Sequence, residues 1–351
     1  MRRSNFRYIL SGRRRLGAII LGGELTTTYL NRDERPCLIG YQDLGEYAPG
    51  ILIKSYDFRN ENEVGHYFNS RRVYLLDEVI VEPVQGLVYD LTGSLLAEST
   101  VWPLFQLYSS FPWHPKRLHG LVDVGETILV TSNSYGHWLA EDLGSIIFLL
   151  TKYPSAKVLF SKSAPKYVRD FLRMLDRETL EISGPVRVKN LLLVSKSQDS
   201  GWMHPRDIQE IRSFAPFRKV FSELKGTTSL YASRRNTKRS PKNESEIEKL
   251  FISRGFSVVR LEDLNFLDEV KLLGGVKYFA GVHGSSHVNS VFMPENSRLL
   301  DIVSENYWTE LGPRIADLRN QTYLPFMFEG NPTDSVDLNL LASVLNEILE
   351  E

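Results

Sequence analysis

The chain has one cysteine, Cys37, in 351 residues, which excludes an intramolecular disulfide and fits a reducing, cytoplasmic compartment. It has no Gly-x-Gly triplet, which removes the dinucleotide fingerprint of a Rossmann oxidoreductase. It has almost no net charge: 42 Lys and Arg stand against 43 Asp and Glu, a formal −1. No global basic field therefore argues for nucleic acid, and no nucleic-acid module is recognisable. Long apolar runs are missing as well. Leu16-Gly17-Ala18-Ile19-Ile20-Leu21 falls far short of the ~20 residues that span a bilayer. No repeat or low-complexity tract is visible, and the sequons at Asn243 and Asn320 read as chance.

What is present suffices for two domains of ordinary size, with 42% hydrophobic and 24% charged residues. Residues 1–15 hold six arginines and no acid. With the apolar run behind them they resemble the opening of a signal peptide, but lack a full apolar core and a small-residue cleavage site. Two readings stand: a basic tail with no ligand, or peripheral contact with the anionic inner membrane face at ~1 kcal/mol per basic residue.

The richest segment is 277–301. Tyr278-Phe279-Ala280-Gly281-Val282 suits a parallel strand covered on both faces. His283-Gly284-Ser285-Ser286 then turns the chain into a helix start. Free N–H groups there, backed by the helix dipole, suit a phosphate; a capped turn without ligand is the alternative. Upstream, 229–261 reads as strand, basic loop, helix from Asn243 (N-cap, Glu246 in the first turn), Gly255 stop and strand. Arg234, Arg235 and Arg239 thus fall at the carboxyl end of a parallel strand, where open α/β sheets bind ligands, and guanidinium groups suit a diphosphate. A solvated basic loop is the bland reading. A third segment, Asn133 to Leu150, opens in a polar turn and continues as a helix, with His137 and Glu141 four residues apart on one face.

Ser233-Arg234-Arg235, Arg239, Asn243-Glu244 with Glu246, Gly255-Phe256, and Gly281-Val282-His283-Gly284 with Asn289, Phe292 and Pro294 resemble the C-terminal half of family 61 glycosyltransferases. Asn133-Ser134-Tyr135-Gly136-His137-Trp138-Leu139-Ala140-Glu141-Asp142-Leu143 resembles its N-terminal signature. The likeness runs in order from about 130 to 330. Where the family reads His-Gly-Ala-Gly-Leu-Thr-Asn, this chain has His283-Gly284-Ser285-Ser286-His287-Val288-Asn289. The family's Glu after the final strand is Asp301 here, and its Glu-Gln pair is Asp268-Glu269. A Cβ at 286 narrows the turn, and an imidazole at 287 alters what lines the pocket.

The resemblance implies an α/β, GT-B-like fold: two Rossmann-like domains face a central cleft, with a less regular strand-rich N-terminal region. It implies inverting transfer from a nucleotide sugar, UDP-linked, to a glycan or lipid-linked glycan in surface polysaccharide synthesis. Metal-dependent transfer commonly uses an Asp-x-Asp triplet, and none occurs in this sequence. Arginines and helix N-termini must then offset the diphosphate charge. The expected donor-binding set is Arg234, Arg235, Arg239, His283, Gly284, Ser285, Ser286, Asn289 and Glu269, with no metal. His283-x₃-His287 lacks the zincin glutamate and a third ligand. The general base is Glu141 or His137, with Asp142 as an outside candidate; a capping His and a solvated acid are the alternative.

Expected domains are 1–224 (25–130 strand and loop, 131–224 α/β), 229–335, and a closing helix at 336–351 that packs back across the first domain, with Lys225-Gly226-Thr227-Thr228 as linker. Strands are expected at 79–81, 128–130, 157–160 and 191–194, and helices at 165–176, 205–224, 308–319 and 336–349. Two other classes stay open: a pyruvyl-transferase-like enzyme and a nucleotide-binding module without turnover.

Overall fold

The computed structural model describes residues 27–28, 39–57, 62–101, 118–196, 200–223 and 226–350. The Arg-rich segment, the apolar run after it and Cys37 lie outside them. The chain is mixed α/β. Five strands form a wholly parallel sheet in the spatial order Ser257–Val259, Thr228–Ala232, Val276–Val282, Arg298–Ser304, Thr322–Phe328. In chain order that is 2-1-3-4-5, which reverses direction between the first and third strands. Side chains alternate along each strand, and both faces are apolar. Tyr231, Ala280, Val282 and Ile302 meet Ile247, Phe251, Leu341 and Leu345 on one side. Leu230, Ala232, Phe279 and Leu299 meet Phe266, Val270, Leu273 and Ile315 on the other. A sheet covered in this way reads as continuous hydrophobic runs, which is why its strands stood out.

This five-stranded sheet is called the second, because the other large sheet, the first, is built from earlier residues. The same apolar cluster continues through Phe217 and Trp138 into Val73, Ile128, Val158 and Leu192, so the two sheets share one core. Among the described residues the first sheet has ten strands, centred on Val186–Val194. That strand pairs antiparallel with Arg71–Glu82 and parallel with Thr127–Val130, and Lys157–Ser161 and Thr179–Ile182 extend the parallel side.

Between the sheets runs a helix from Tyr135 to Lys152, α-helical at Tyr135–His137, a π-turn at Trp138–Asp142, then α-helical again at Leu143–Lys152. It packs on the helix Pro205–Ser213 through Gly144, where a Cβ would collide with Asp207. Asp207 cannot retreat, because it is buried in a network. Arg71 Nη1 lies 2.6 Å from its Oδ2, the Tyr47 hydroxyl donates to its Oδ1 at 2.7 Å, and Arg71 Nε donates to the Ser195 carbonyl at 2.8 Å.

Four expectations need correction. The stretch 205–224 is two helices, Pro205–Ser213 and Ala215–Glu223, because Phe214 adopts extended dihedrals (φ −57°, ψ 125°). The helix after Gly284 is 3₁₀, Ser285–Phe292. Asn243 does not cap its helix; its amide instead donates to the Val336 carbonyl at 2.8 Å and accepts from the Val336 N–H at 2.9 Å. The closing helix Leu338–Glu350 packs on the outer face of the second sheet beside Glu244–Ser253, where its Leu341, Leu345 and Ile348 find apolar partners, and not across the first.

Candidate active site

Open α/β sheets bind ligands beyond the carboxyl ends of the strands where the strand order reverses. Here that place lies between Ala232 and Gly281, paired in register. A cavity of about 400 Å³ opens there. The second sheet contributes Arg234, Ser285, Ser286, Asn289 and Glu269; the first contributes Tyr135 and, from the helix Lys166–Arg173, Lys166, Tyr167 and Asp170. The two loops that form its charged end are locked together. Arg234 Nη1 donates to the His283 carbonyl at 2.9 Å, and a Cβ on Gly284 would strike the guanidinium. A side chain at 284 would therefore have to displace the guanidinium from its place. Burial, and then the Arg239 charge, lower the pKa of Arg234, as befits a cation taken partly out of water.

The remaining expected donor residues divide. Arg235 turns away and pairs with Glu248, its side chain half exposed (51%). Arg239 stacks over the Tyr307 ring at 4.4 Å. Neither lines the cavity, so both are corrected as donor contacts. His283 is corrected likewise. It is buried, and Thr309 N–H donates to its Nε2 at 3.0 Å, which puts the ring proton on Nδ1, donated to Asp301 Oδ2 at 2.7 Å. The Tyr323 hydroxyl donates to the same oxygen at 2.7 Å, and His287 Nε2 lies 3.2 Å from Oδ1. His287 thus faces inward onto Asp301 and not, as expected, onto the pocket wall. Burial raises Asp301, but the two imidazoles more than reverse this and leave it below its ordinary value. These groups fix the loop after Arg298–Ser304 to the strand ends.

Glu269 holds a different position. Burial pushes its pKa up to about 7, against hydrogen bonds from Asn289 and Tyr135 that pull it down. Asn289 Nδ2 donates to Glu269 Oε1 at 2.7 Å, and the Tyr135 hydroxyl donates to Asn289 Oδ1.

The pair expected from helical spacing also forms. His137 Nδ1 lies 2.8 Å from Glu141 Oε1. The His137 side chain is 39% exposed and that of Glu141 is wholly buried. Glu141 Oε1 also accepts from Gly201 N–H at 2.9 Å and the Ser200 hydroxyl at 3.1 Å. Burial alone would raise Glu141, but the His137 hydrogen bond and charge, with Lys196 and Gly201, bring it below the usual carboxylate range. The same hydrogen bond raises His137 despite its burial. Both residues sit at the π-turn, a distortion that recurs at functional sites. Neither lines the cavity directly, but Gly136 does approach it: a Cβ there would sit 3.3 Å from Ser285 Oγ. Asp142 is sealed off, ion-paired to Lys196 and accepting from Thr131 Oγ1 at 2.7 Å, with 2% of its side chain exposed. Burial and these two partners remove it from the candidate bases.

Sequence reasoning missed Lys166, Tyr167, Asp170 and Glu262 on the cavity wall, for which no local signal exists. Tyr135 lay inside the motif already singled out, where its neighbours Gly136 and His137 pointed to it.

A cavity at a strand-order reversal that presents Arg234 beside the Ser285-Ser286 turn, with a carboxylate-held imidazole nearby, suits a transferase using a phosphorylated donor. A family model described as Glycosyltransferase 61 matches residues 135–300, from the first turn of the His137 helix into the Asp301 strand. That region is a glycosyltransferase family 61 domain, which makes the chain a glycosyltransferase. No curated protein matches it significantly. Among the described residues no helix is long and apolar enough to cross a membrane.

Proposed function

We propose that this enzyme moves a sugar, with inversion, from a UDP-linked donor to a hydroxyl of a glycan or lipid-linked glycan during surface polysaccharide synthesis, without a metal ion. The two sheets act as the halves of a GT-B arrangement in the cytoplasm, with the donor on the second sheet. The observation that carries this is the shared crevice: Arg234 and the 285–286 turn, read separately as anion-binding, line one cavity.

The diphosphate sits against the Arg234 guanidinium and the amides opening the 3₁₀ segment, which stabilise the charge that grows as the leaving group departs. The acceptor oxygen attacks the anomeric carbon from the face opposite the diphosphate, so the configuration inverts. Its proton goes to His137 Nε2. In the neutral ring, Nδ1–H donates to ionised Glu141, which leaves the Nε2 lone pair available. Glu141 holds the tautomer and stabilises the imidazolium that forms.

A panel of sugar nucleotides screened by thermal shift, followed by product analysis on the stabilising donor, tests the assignment. A UDP-sugar should raise the melting temperature with EDTA present, and His137→Ala should lower turnover ~10²–10⁴-fold without abolishing that shift. Transfer that vanishes with EDTA and returns with a divalent ion would refute the metal-free reading.

A further inference from the structure

Glu269, Asn289 and Tyr135 form a hydrogen-bonded chain on the wall of the cavity. Tyr135 comes from the first sheet's helix; Asn289 and Glu269 come from the second sheet's connections. The Tyr135 hydroxyl donates to Asn289 Oδ1, and Asn289 Nδ2 donates to Glu269 Oε1 at 2.7 Å. The carboxyl itself is buried on the cavity wall, which favours its neutral form.

The same cavity holds Arg234, Ser285 and Ser286. An ionised carboxyl among them would repel a diphosphate, whereas a neutral one is an additional donor to it. We propose that Glu269 is the proton-binding group of the donor cavity and that docking of a nucleoside diphosphate takes up one proton onto it. This rests on the donor site placed in this cavity above.

The groups around Glu269 are consistent with that role. Glu262 and Lys166 act on it with opposite signs. Asp170 and Arg234 stand on the cavity walls. Asp268 and Lys271, on its own helix, are half exposed and paired to each other. Arg218, Lys219 and Glu223, on the helix Ala215–Glu223 packed beside it, are exposed. His287 of the 3₁₀ segment is turned onto Asp301. No buried cation pairs with Glu269 among the described residues, so a proton is the remaining way to neutralise it.

The test is calorimetric titration of the full chain with UDP, GDP, CDP and ADP at pH 6 and 8.5, in buffers of different ionisation enthalpy. The ligand's own protonation is common to every protein form and cancels in the comparison. At pH 8.5 the wild type should take up close to one proton more than Glu269→Gln. Its affinity should fall, relative to the variant, by about tenfold per pH unit above 7. Equal proton uptake and parallel pH profiles would overturn the assignment while leaving the donor site standing. If no diphosphate binds the wild type at either pH, the donor site itself is wrong and the proton assignment falls with it. Difference infrared spectra read the event without a variant: saturating diphosphate at pH 8.5 should add a protonated-carboxyl band to the wild type. Its absence overturns the proposal.

Discussion

Arg234 and Arg235 are adjacent, carry the same charge and look equivalent in sequence, yet the fold gives them opposite tasks. Arg234 is pinned over Gly284 by the His283 carbonyl and faces the cavity; Arg235 is held by Glu248 outside it. Sequence placed both at the strand end but could not choose, because the choice depends on Glu248 and on His283, 49 residues away from Arg234. Arg234→Ala should weaken diphosphate binding about 10- to 100-fold, the effect of removing a charge-assisted contact of ~1.5–3 kcal/mol. Arg235→Ala should change it less than about threefold, since Glu248 holds that guanidinium away from the cavity. Titration calorimetry on the two variants decides this, and equal losses would refute the division. The His137–Glu141 pair was legible, because four-residue spacing on a helix brings side chains together. Its asymmetry was not: burial of Glu141 depends on Ser200 and Gly201, 59 and 60 residues on. For Glu269, the folded carboxyl titrates near 7 and the unfolded one near 4.5. The folded state thus holds its proton more tightly, and that stability is fully present below pH 4.5 and lost as pH rises to about 7. The total is at most about 3 kcal/mol. Glu269→Gln should therefore gain on the wild type between pH 5 and 8 in urea midpoints. A gap that stays constant with pH would contradict a raised carboxyl.

At the level of elements, the sequence showed most clearly what periodicity encodes. The strands at 79–81, 128–130, 157–160 and 191–194, and the helices near 165–176 and 308–319, all exist with shifted ends. The misses share one cause: tertiary contacts overriding a local pattern. The break at Phe214 lets its ring reach Phe171 and Phe217 (centroids 5.9 and 5.1 Å away), and the Asn243 amide was taken from its cap by a residue 93 positions away. The π-turn at Trp138–Asp142 has no sequence signal either. It places Glu141 inward beside Lys196 and Gly201 while Trp138 enters the aromatic core. The helix that carries it is held by Gly144 against the Asp207 backbone. Gly144→Ala must push the helix away from Asp207 and its Arg71 and Tyr47 partners. Overpacking of this kind costs ~1–3 kcal/mol, and disturbing a buried ion pair adds to it. The variant should lose stability in urea by at least that amount. Near-native stability would mean that the two helices separate freely.

For the whole molecule, the parallel order of the second sheet followed from strand–helix–strand grammar, and with it the place where a ligand would bind. The first sheet was not legible in the same way, because Arg71–Glu82 and Val186–Val194 meet across about a hundred residues with no local mark of partnership. Nor could sequence foresee that the two sheets bury one continuous cluster, from Val73 and Ile128 through Trp138 and Phe217 to Phe279 and Leu299. Polar ties cross the same boundary: Arg212 Nη1 donates to the Val291 and Phe292 carbonyls at 3.3 and 3.2 Å, and Asp170 accepts from Phe266 N–H at 3.2 Å. Two lobes hinged by a linker alone would each keep a private core and melt separately. Lobes that share a core cannot, because exposing one strips apolar surface from the other. Calorimetry should therefore give a single transition whose van't Hoff and calorimetric enthalpies agree. Phe217→Ala, which empties the junction, should either lower that transition or split it in two. Two resolved transitions in the wild type, one of them alone moving with added UDP, would show that the sheets are energetically separate and that the cavity between them is held open by less than the buried cluster provides.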